Sequence, residues 1–256
     1  MLQLNDLIKI SKKKNYTAVI IQARSSSVRF PKKIFKKFYG KPYILNIYKN
    51  FKKKYELTII ATTNKKTDDK FIDLLKKNHI SYYRGSEKNL VKRFYNCSSL
   101  IKKKFKIKDF KIIRVCADMP FINPSMSRHS LKLLSINNDY VGYSKKLLDG
   151  YNLETFWYSS LKKLSGLKLS KSEKEHISPG FINHNFKIKE LSKISNRLEK
   201  NISLSLDYKN DYKNLKKLEK IISKKFGDNI YTSYDKMIKI IKENNLINSF
   251  RLFKND

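Results

Sequence analysis

Short apolar runs alternate with amphipathic stretches along this chain. Thr17 to Gln22 (TAVIIQ), Leu57 to Thr62 (LTIIAT) and Lys111 to Ala117 (KIIRVCA) are compact apolar runs rich in β-branched residues, and they predict buried strands. Ile80 to Tyr83 predicts a shorter one. Tyr43 to Lys53, Thr67 to Asn78 and Asn89 to Lys102 predict helices; in the second, Phe71, Leu74 and Leu75 fall at helical spacing. Short strands separated by helices predict a parallel sheet with crossover connections. Beyond Pro124 the pattern predicts a helix to about Ile136, a short strand near Tyr140, loop and strand over 144–157, and mostly helix over 171–184. A last strand is predicted at Leu204 to Leu206, then helices near 209–225 and 233–244. No internal repeat or low-complexity linker interrupts the pattern, so one α/β domain with a small inserted lobe is expected. Ligands of such sheets sit beyond the carboxyl ends of the strands. The loops at 23–33, 84–87 and 117–124 are therefore expected to line one cleft.

Composition narrows the classes. Of the 256 residues 40% are apolar, enough to bury a core. No apolar run approaches the ~18 residues of a membrane-spanning helix. The opening MLQLNDLIKISKKKNY lacks the apolar centre of a secretory signal, so a cytoplasmic location is expected. Two cysteines, Cys97 and Cys116, exclude a disulfide framework and a four-cysteine zinc site, and both read as packing residues rather than nucleophiles. The single tryptophan, Trp157, reads as core.

The net charge of +35 invites a nucleic-acid reading. However, only eight of the 57 basic residues are arginine, and the lysines are spread along the whole chain. A dedicated binder clusters its cations and uses arginine forks on phosphates. Asparagine, isoleucine, tyrosine and phenylalanine, which share A/T-rich codons with lysine, are also abundant, so the charge reads as compositional. No specific nucleic-acid partner and no membrane insertion are expected. Binding to DNA should be non-specific and fall steeply between about 50 and 200 mM salt, because exposed lysines release counterions without reading bases. Anisotropy titrations of two unrelated duplexes check this, and sequence-selective binding at the higher salt would contradict it.

Candidate chemistry concentrates in two loops. The segment Gln22-Ala-Arg-Ser-Ser-Ser-Val-Arg-Phe-Pro-Lys-Lys33 follows a predicted strand and offers Ala23, Arg24, Ser25, Ser26, Ser27, Arg29, Lys32 and Lys33. Hydroxyls and backbone amides can cradle phosphate oxygens while the cations neutralise them; a solvated basic turn is the other reading. Asp118 ends another strand and precedes a proline turn. It suits either a divalent cation or turn capping. Four of only five prolines stand in or beside these two loops, where a fixed φ stiffens the chain.

The first loop resembles the Q-A-R-M-x-S-x-R-L-P-x-K loop of the sugar cytidylyltransferases. The resemblance is closest to the spore-coat polysaccharide biosynthesis F family, with acylneuraminate and 3-deoxy-manno-octulosonate cytidylyltransferases as relatives. Gly40-Lys41-Pro42, Arg84-Gly85-Ser86-Glu87, Ala117-Asp118-Met119-Pro120-Phe121-Ile122, Asp149-Gly150 with Glu154, Glu175-His176 and Leu206-Asp207 follow in the family's order. Ser26 and Lys32 stand where that family has glycine, Lys88 and Asn89 where it has acidic residues, and no proline follows Asp207.

The resemblance implies a Rossmann-like, mostly parallel sheet flanked by helices, of the nucleotide-diphospho-sugar transferase type. It would occupy residues 16–225, after an N-terminal extension at 1–15 and before a C-terminal helical segment at 226–256. It implies transfer of CMP from CTP to a sugar, a 2-keto sugar acid first among candidates, with release of pyrophosphate for surface polysaccharide or glycan biosynthesis. Arg24 and Lys33 would be the catalytic cations. The 23–29 loop, Arg84 and Ser86 would hold the nucleotide, and Asp118 and Asp207 would hold Mg2+. Glu154, Glu175 and His176 would face the sugar. A homodimer is left open. So are transfer to a neutral sugar or polyol phosphate, an inactive relative kept as a binding or scaffold protein, and a basic nucleic-acid-associated protein.

Overall fold

The computed structural model describes residues 2–3, 16–142, 147–191, 198, 200–227 and 232–252. Most of the expected N-terminal extension and the start of the 144–157 stretch therefore lie outside the described residues. Ten strands are present among those described: β1 (Leu2–Gln3), β2 (Thr17–Gln22), β3 (Lys37–Phe38), β4 (Lys41–Pro42), β5 (Leu57–Thr63), β6 (Tyr82–Gly85), β7 (Lys111–Cys116), β8 (Tyr140–Gly142), β9 (Glu154–Trp157) and β10 (Ile188–Glu190). The helices are α1 (Tyr43–Lys54), α2 (Asp69–Lys77), α3 (Leu90–Phe105), α4 (Ser125–Leu133), α5 (Tyr158–Ser165), α6 (Lys171–Glu175), α7 (Ile177–Asn183), α8 (Lys209–Phe226) and α9 (Tyr234–Glu243).

Eight strands form one mostly parallel sheet in the order β1-β6-β5-β2-β7-β9-β8-β10, as the resemblance implied. Strands β6, β5, β2 and β7 pair in parallel, while β9 is antiparallel to both β7 and β8. The central strands alternate between two cores. Val19 and Ile21 face a core shared with α1, α8 and α9, whereas Ala18 and Ile20 face one shared with α3, α5 and α7. Both faces of the sheet are thus covered, which explains why these strands read as unbroken apolar runs. Met237, Ile238, Ile241 and Phe250 are buried in the first core, so the C-terminal stretch packs on the sheet.

Some elements differ from the expectation. Leu204 to Leu206 is not a ladder strand. It runs extended beside the sheet, tied by an isolated bridge from Ser203 to Asp149 and by Leu206 N–H donating to the Asp118 carbonyl at 2.7 Å. The β6 ladder begins at Tyr82 rather than Ile80, because His79 takes φ 52° after α2 and Ile80 is still leaving that turn. Helix α5 and strand β10 were not expected; β10 is exposed at all three positions and carries no apolar alternation to read. Trp157 is half-buried at the end of β9, its indole donating to the Ser135 carbonyl at 3.0 Å.

Candidate functional site

The chain runs from β2 to β5 and β6 on one side, then places β7 on the other side of β2. The loops after β2 and β7 therefore leave the sheet in opposite senses, and a crevice opens between them at the carboxyl ends. A cavity of about 940 Å³ occupies this place, at the large end of the range for small-molecule sites. Its floor is Gln22, Ala23, Cys116 and Ala117. Arg24, Ser27, Arg29 and Lys33 line it from the first loop, with Asp118 and Asp207 at one edge. Glu175 and His176 stand on the wall built by α6 and the start of α7, beside Lys171 and Lys174.

Burial and hydrogen bonding shape the first loop. Asp68 is fully buried between β5 and α2 and accepts from Ser25 N–H at 2.8 Å, Ser25 Oγ at 2.6 Å and Thr62 Oγ1 at 2.8 Å, and from Thr63. Burial alone would raise its carboxyl pKa, but the bonds from Ser25, Thr63 and Thr62 more than reverse this and hold it low. At the loop's far end Phe30 and Ile34 are buried in the core. Anchored at both ends, the chain presents Ser27 to Arg29 toward the cleft. Lys32 adopts φ 57° and is exposed, whereas Lys33 Nζ turns inward to the Leu206 carbonyl at 2.7 Å and Asp207 Oδ1 at 3.0 Å. The left-handed conformation explains why the family pattern has glycine at this position. Lys32→Gly should raise stability by about 1 kcal/mol in urea unfolding, with turnover unchanged.

The carboxylates differ in their surroundings. Asp207 accepts from Arg29 Nη2 at 2.9 Å and from Lys33, and pairs with Arg251 at 3.3 Å. Its own N–H and that of Tyr208 donate to Asp211, which fixes the start of α8. Asp118 is half-buried, and among the described residues no side chain hydrogen-bonds or ion-pairs with its carboxylate. Burial raises its pKa, Lys33 opposes the rise, and the nearby charges of Asp207 and Asp149 add to it. A half-buried carboxylate with raised pKa and a second carboxylate close by fits a divalent cation that keeps several waters. Among the described residues no cluster of three or more histidine, cysteine, aspartate or glutamate side chains could hold a metal, so a cation here would rest on few protein ligands.

The structure draws Ala23, Arg24, Ser27, Arg29, Lys33, Asp118, Asp207, Glu175 and His176 into this one cavity. Five other candidates stand elsewhere. Ser25 is turned under the loop onto Asp68. Ser26 Oγ lies 3.5 Å from Glu87 Oε1. Arg84 braces the end of β5, donating to the Thr63 and Lys65 carbonyls at 3.0 and 2.7 Å and pairing with Asp69. Ser86 Oγ accepts from Asn89 N–H in the turn before α3. Glu154 is buried against Arg114 and accepts from Ser178 Oγ at 3.1 Å. Arg114 in turn grips Gln22 Oε1 with two N–H groups at 3.1 and 2.8 Å, which turns the Gln22 amide NH2 the other way. Glu154 is thus linked to the cleft-lining Gln22 through Arg114. Cys116 borders the cavity, but burial first of all pushes its thiol up to about 12, so it is no thiolate at neutral pH.

A doubly wound sheet with a basic loop and facing carboxylates at its switch point is the fold of nucleotide-diphospho-sugar transferases. Within that fold the chain belongs to the cytidylyltransferase family, whose model matches residues 18–248. It is 31% identical to an uncharacterised protein of Methanocaldococcus jannaschii over 207 residues, 78% of this chain and 82% of that one. It is 39% identical over 110 residues to the 3-deoxy-manno-octulosonate cytidylyltransferase of Wigglesworthia glossinidia brevipalpis, covering 41% of this chain and 42% of that protein. The spore coat polysaccharide biosynthesis protein SpsF of Bacillus subtilis matches at 31% over 114 residues, 42% of this chain and 45% of that protein. A solved cytidylyltransferase of Leptospira borgpetersenii superposes with a TM-score of 0.79 at 26% identity, covering 94% of this chain and all of that one. Among the described residues no helix is long and apolar enough to cross a membrane.

Proposed function

We propose that this chain transfers CMP from CTP to a sugar, releasing pyrophosphate. The observation that carries the reading is the convergence of Arg24, Lys33, Asp118 and Asp207 on one cavity at the switch point of a cytidylyltransferase-family sheet. A sugar hydroxyl attacks the α-phosphorus in line, and the bond to the β-phosphate oxygen breaks. Little covalent chemistry falls to the protein, so the residues act by position and charge. Ser27 and the backbone of the 23–29 loop hold the triphosphate, while Arg24 and Lys33 neutralise the departing pyrophosphate. Asp118 and Asp207 would hold Mg2+, which when bound supplies positive charge to the phosphate oxygens.

The acceptor is a sugar acid on this reading. Lys171, Lys174 and His176 share the wall opposite the phosphate loop, and cations there suit a carboxylate. Mass spectrometry of products from CTP with 2-keto sugar acids, neutral sugars and polyol phosphates tests this. A CMP conjugate of a sugar acid is the expected product. A conjugate formed only with a neutral sugar or polyol phosphate would overturn the choice of acceptor while leaving the transfer itself standing.

A further inference from the structure

Gln22 ends β2 at the floor of the cleft, where the first loop begins. Ala18 and Ile20 face the core under α3, α5 and α7, and Gln22, two residues on, falls on the same side of the strand. There Arg114 of β7 stands level with Ile20 on one flank and with Glu154 of β9 on the other. Arg114 is buried, pairs with the buried Glu154, and gives Nε and Nη2 to Gln22 Oε1 at 3.1 and 2.8 Å. Glu154 also accepts from Ser178 Oγ in α7, two residues beyond His176. One buried ion pair thus joins the cleft floor to the wall opposite the phosphate loop.

Such a pair adds little to the fold. Both charges give up water, and apolar residues of similar volume often leave a protein as stable or more so. What the charges add is direction. With two Arg114 donors on Oε1, the amide is fixed in one sense and its NH2 points away from the ion pair. Among the described residues that NH2 donates to no protein group. Gln22 is part-exposed and lines the cavity, so the fixed donor is free for a ligand. Its place in the cleft selects the ligand atom. In-line transfer sets the attacked phosphorus between the leaving pyrophosphate and the incoming hydroxyl. Arg24 and Lys33 stand on one side of the cleft and the α6–α7 wall with His176 on the other. Gln22 opens the loop that carries the cations and is tied through Glu154 to the wall, so it serves the ground between them.

We propose that Gln22 Nε2 donates to a non-bridging oxygen of the α-phosphate, with Arg114 and Glu154 as the positioning residues that hold the amide in that sense. The inference rests on the proposed function and deepens it, by naming a neutral donor for the phosphate under attack. A donor locked before the substrate arrives needs no reorganisation when charge grows on that oxygen.

Equilibrium binding of cytidine, CMP, CTP and pyrophosphate to the full chain, without divalent ions, tests it. Gln22→Met should weaken CMP and CTP by about tenfold or more, since a hydrogen bond to a charged group is lost, while cytidine and pyrophosphate change by less than about twofold. Gln22→Glu keeps an acceptor for Arg114 but puts an oxygen where the NH2 stood, so CMP should weaken further. The double variant Arg114→Met with Glu154→Leu separates position from packing. It should melt no lower than the wild type, yet bind CMP about threefold to tenfold more weakly with cytidine unchanged, because the amide is no longer held. Circular dichroism confirms folding; if the double variant does not fold, the two Gln22 variants decide. Unchanged CMP binding in the folded variants, an equal loss for cytidine, or a matching loss for pyrophosphate would each overturn the proposal. A wild type that binds neither CMP nor CTP would instead contradict the proposed function itself.

Discussion

Asp118→Asn is expected to lower turnover by about a hundredfold or more while leaving the protein as stable as before, or more so. The activity loss follows from charge. The substitution keeps the side chain's shape but removes one of the two carboxylates that, on the proposed reading, serve the phosphates, where charge builds in the transition state and such a contact is worth about 3–4 kcal/mol. The stability effect follows from the raised pKa. Burial disfavours the ionised form, and Asp207 and Asp149 add to this against the attraction of Lys33. An acid whose folded pKa lies above its unfolded value of 3.8 weakens the fold as pH rises through that window. The asparagine variant lacks that penalty, so melts at about pH 4 and pH 7 should show a smaller drop, or a larger gain, than the wild type over the same rise. A variant that melts lower at neutral pH would show that Asp118 serves the fold and not a cation.

Lys33→Ala should cost about a hundredfold or more in turnover, whereas Lys32→Ala should cost less than about tenfold, although the two are neighbours. Backbone direction separates them. At φ 57° the chain turns at Lys32, leaving that side chain in solvent and sending Lys33 into the cleft, where it reaches the Leu206 carbonyl and Asp207. In the free protein Lys33 and Arg29 balance Asp207; on the proposed reading Lys33 acts with Arg24 on the leaving pyrophosphate once nucleotide is bound. Rates at saturating CTP, with circular dichroism as a control, separate the two variants. A crippled Lys32→Ala with an active Lys33→Ala would mean that the 24–33 loop binds in another register, and Arg24 and Arg29 would need new roles.

Much of the sheet was legible because its central strands are covered on both faces. The runs at Thr17, Leu57 and Lys111 carry that burial in their residue types. The loops of the cleft were legible for another reason: Arg24, Lys33 and Asp118 sit in ordered motifs at strand ends. What escaped was set by long-range contact. Asp68 looks like the start of a helix, yet it fastens Ser25 from 43 positions away. Arg251 reaches Asp207 from the far end of the chain, and nothing in its neighbours marks that contact. Arg84, Ser86 and Glu154 match the family's motifs by position, but their side chains are held by backbone carbonyls, a turn amide and Arg114. Leu204 to Leu206 has the composition of a strand, but its backbone is tied to Asp149 and Asp118 by an isolated bridge and single hydrogen bonds rather than by a ladder.

Pyrophosphate release by the wild-type chain, measured with each of the four ribonucleoside triphosphates, Mg2+ and a panel of sugars, tests the central claim most directly. The account predicts release with CTP that requires both a sugar acceptor and the divalent ion, and much slower release with UTP, ATP and GTP. Equal release with all four nucleotides, or none with any acceptor in a folded protein that binds CTP, would contradict it.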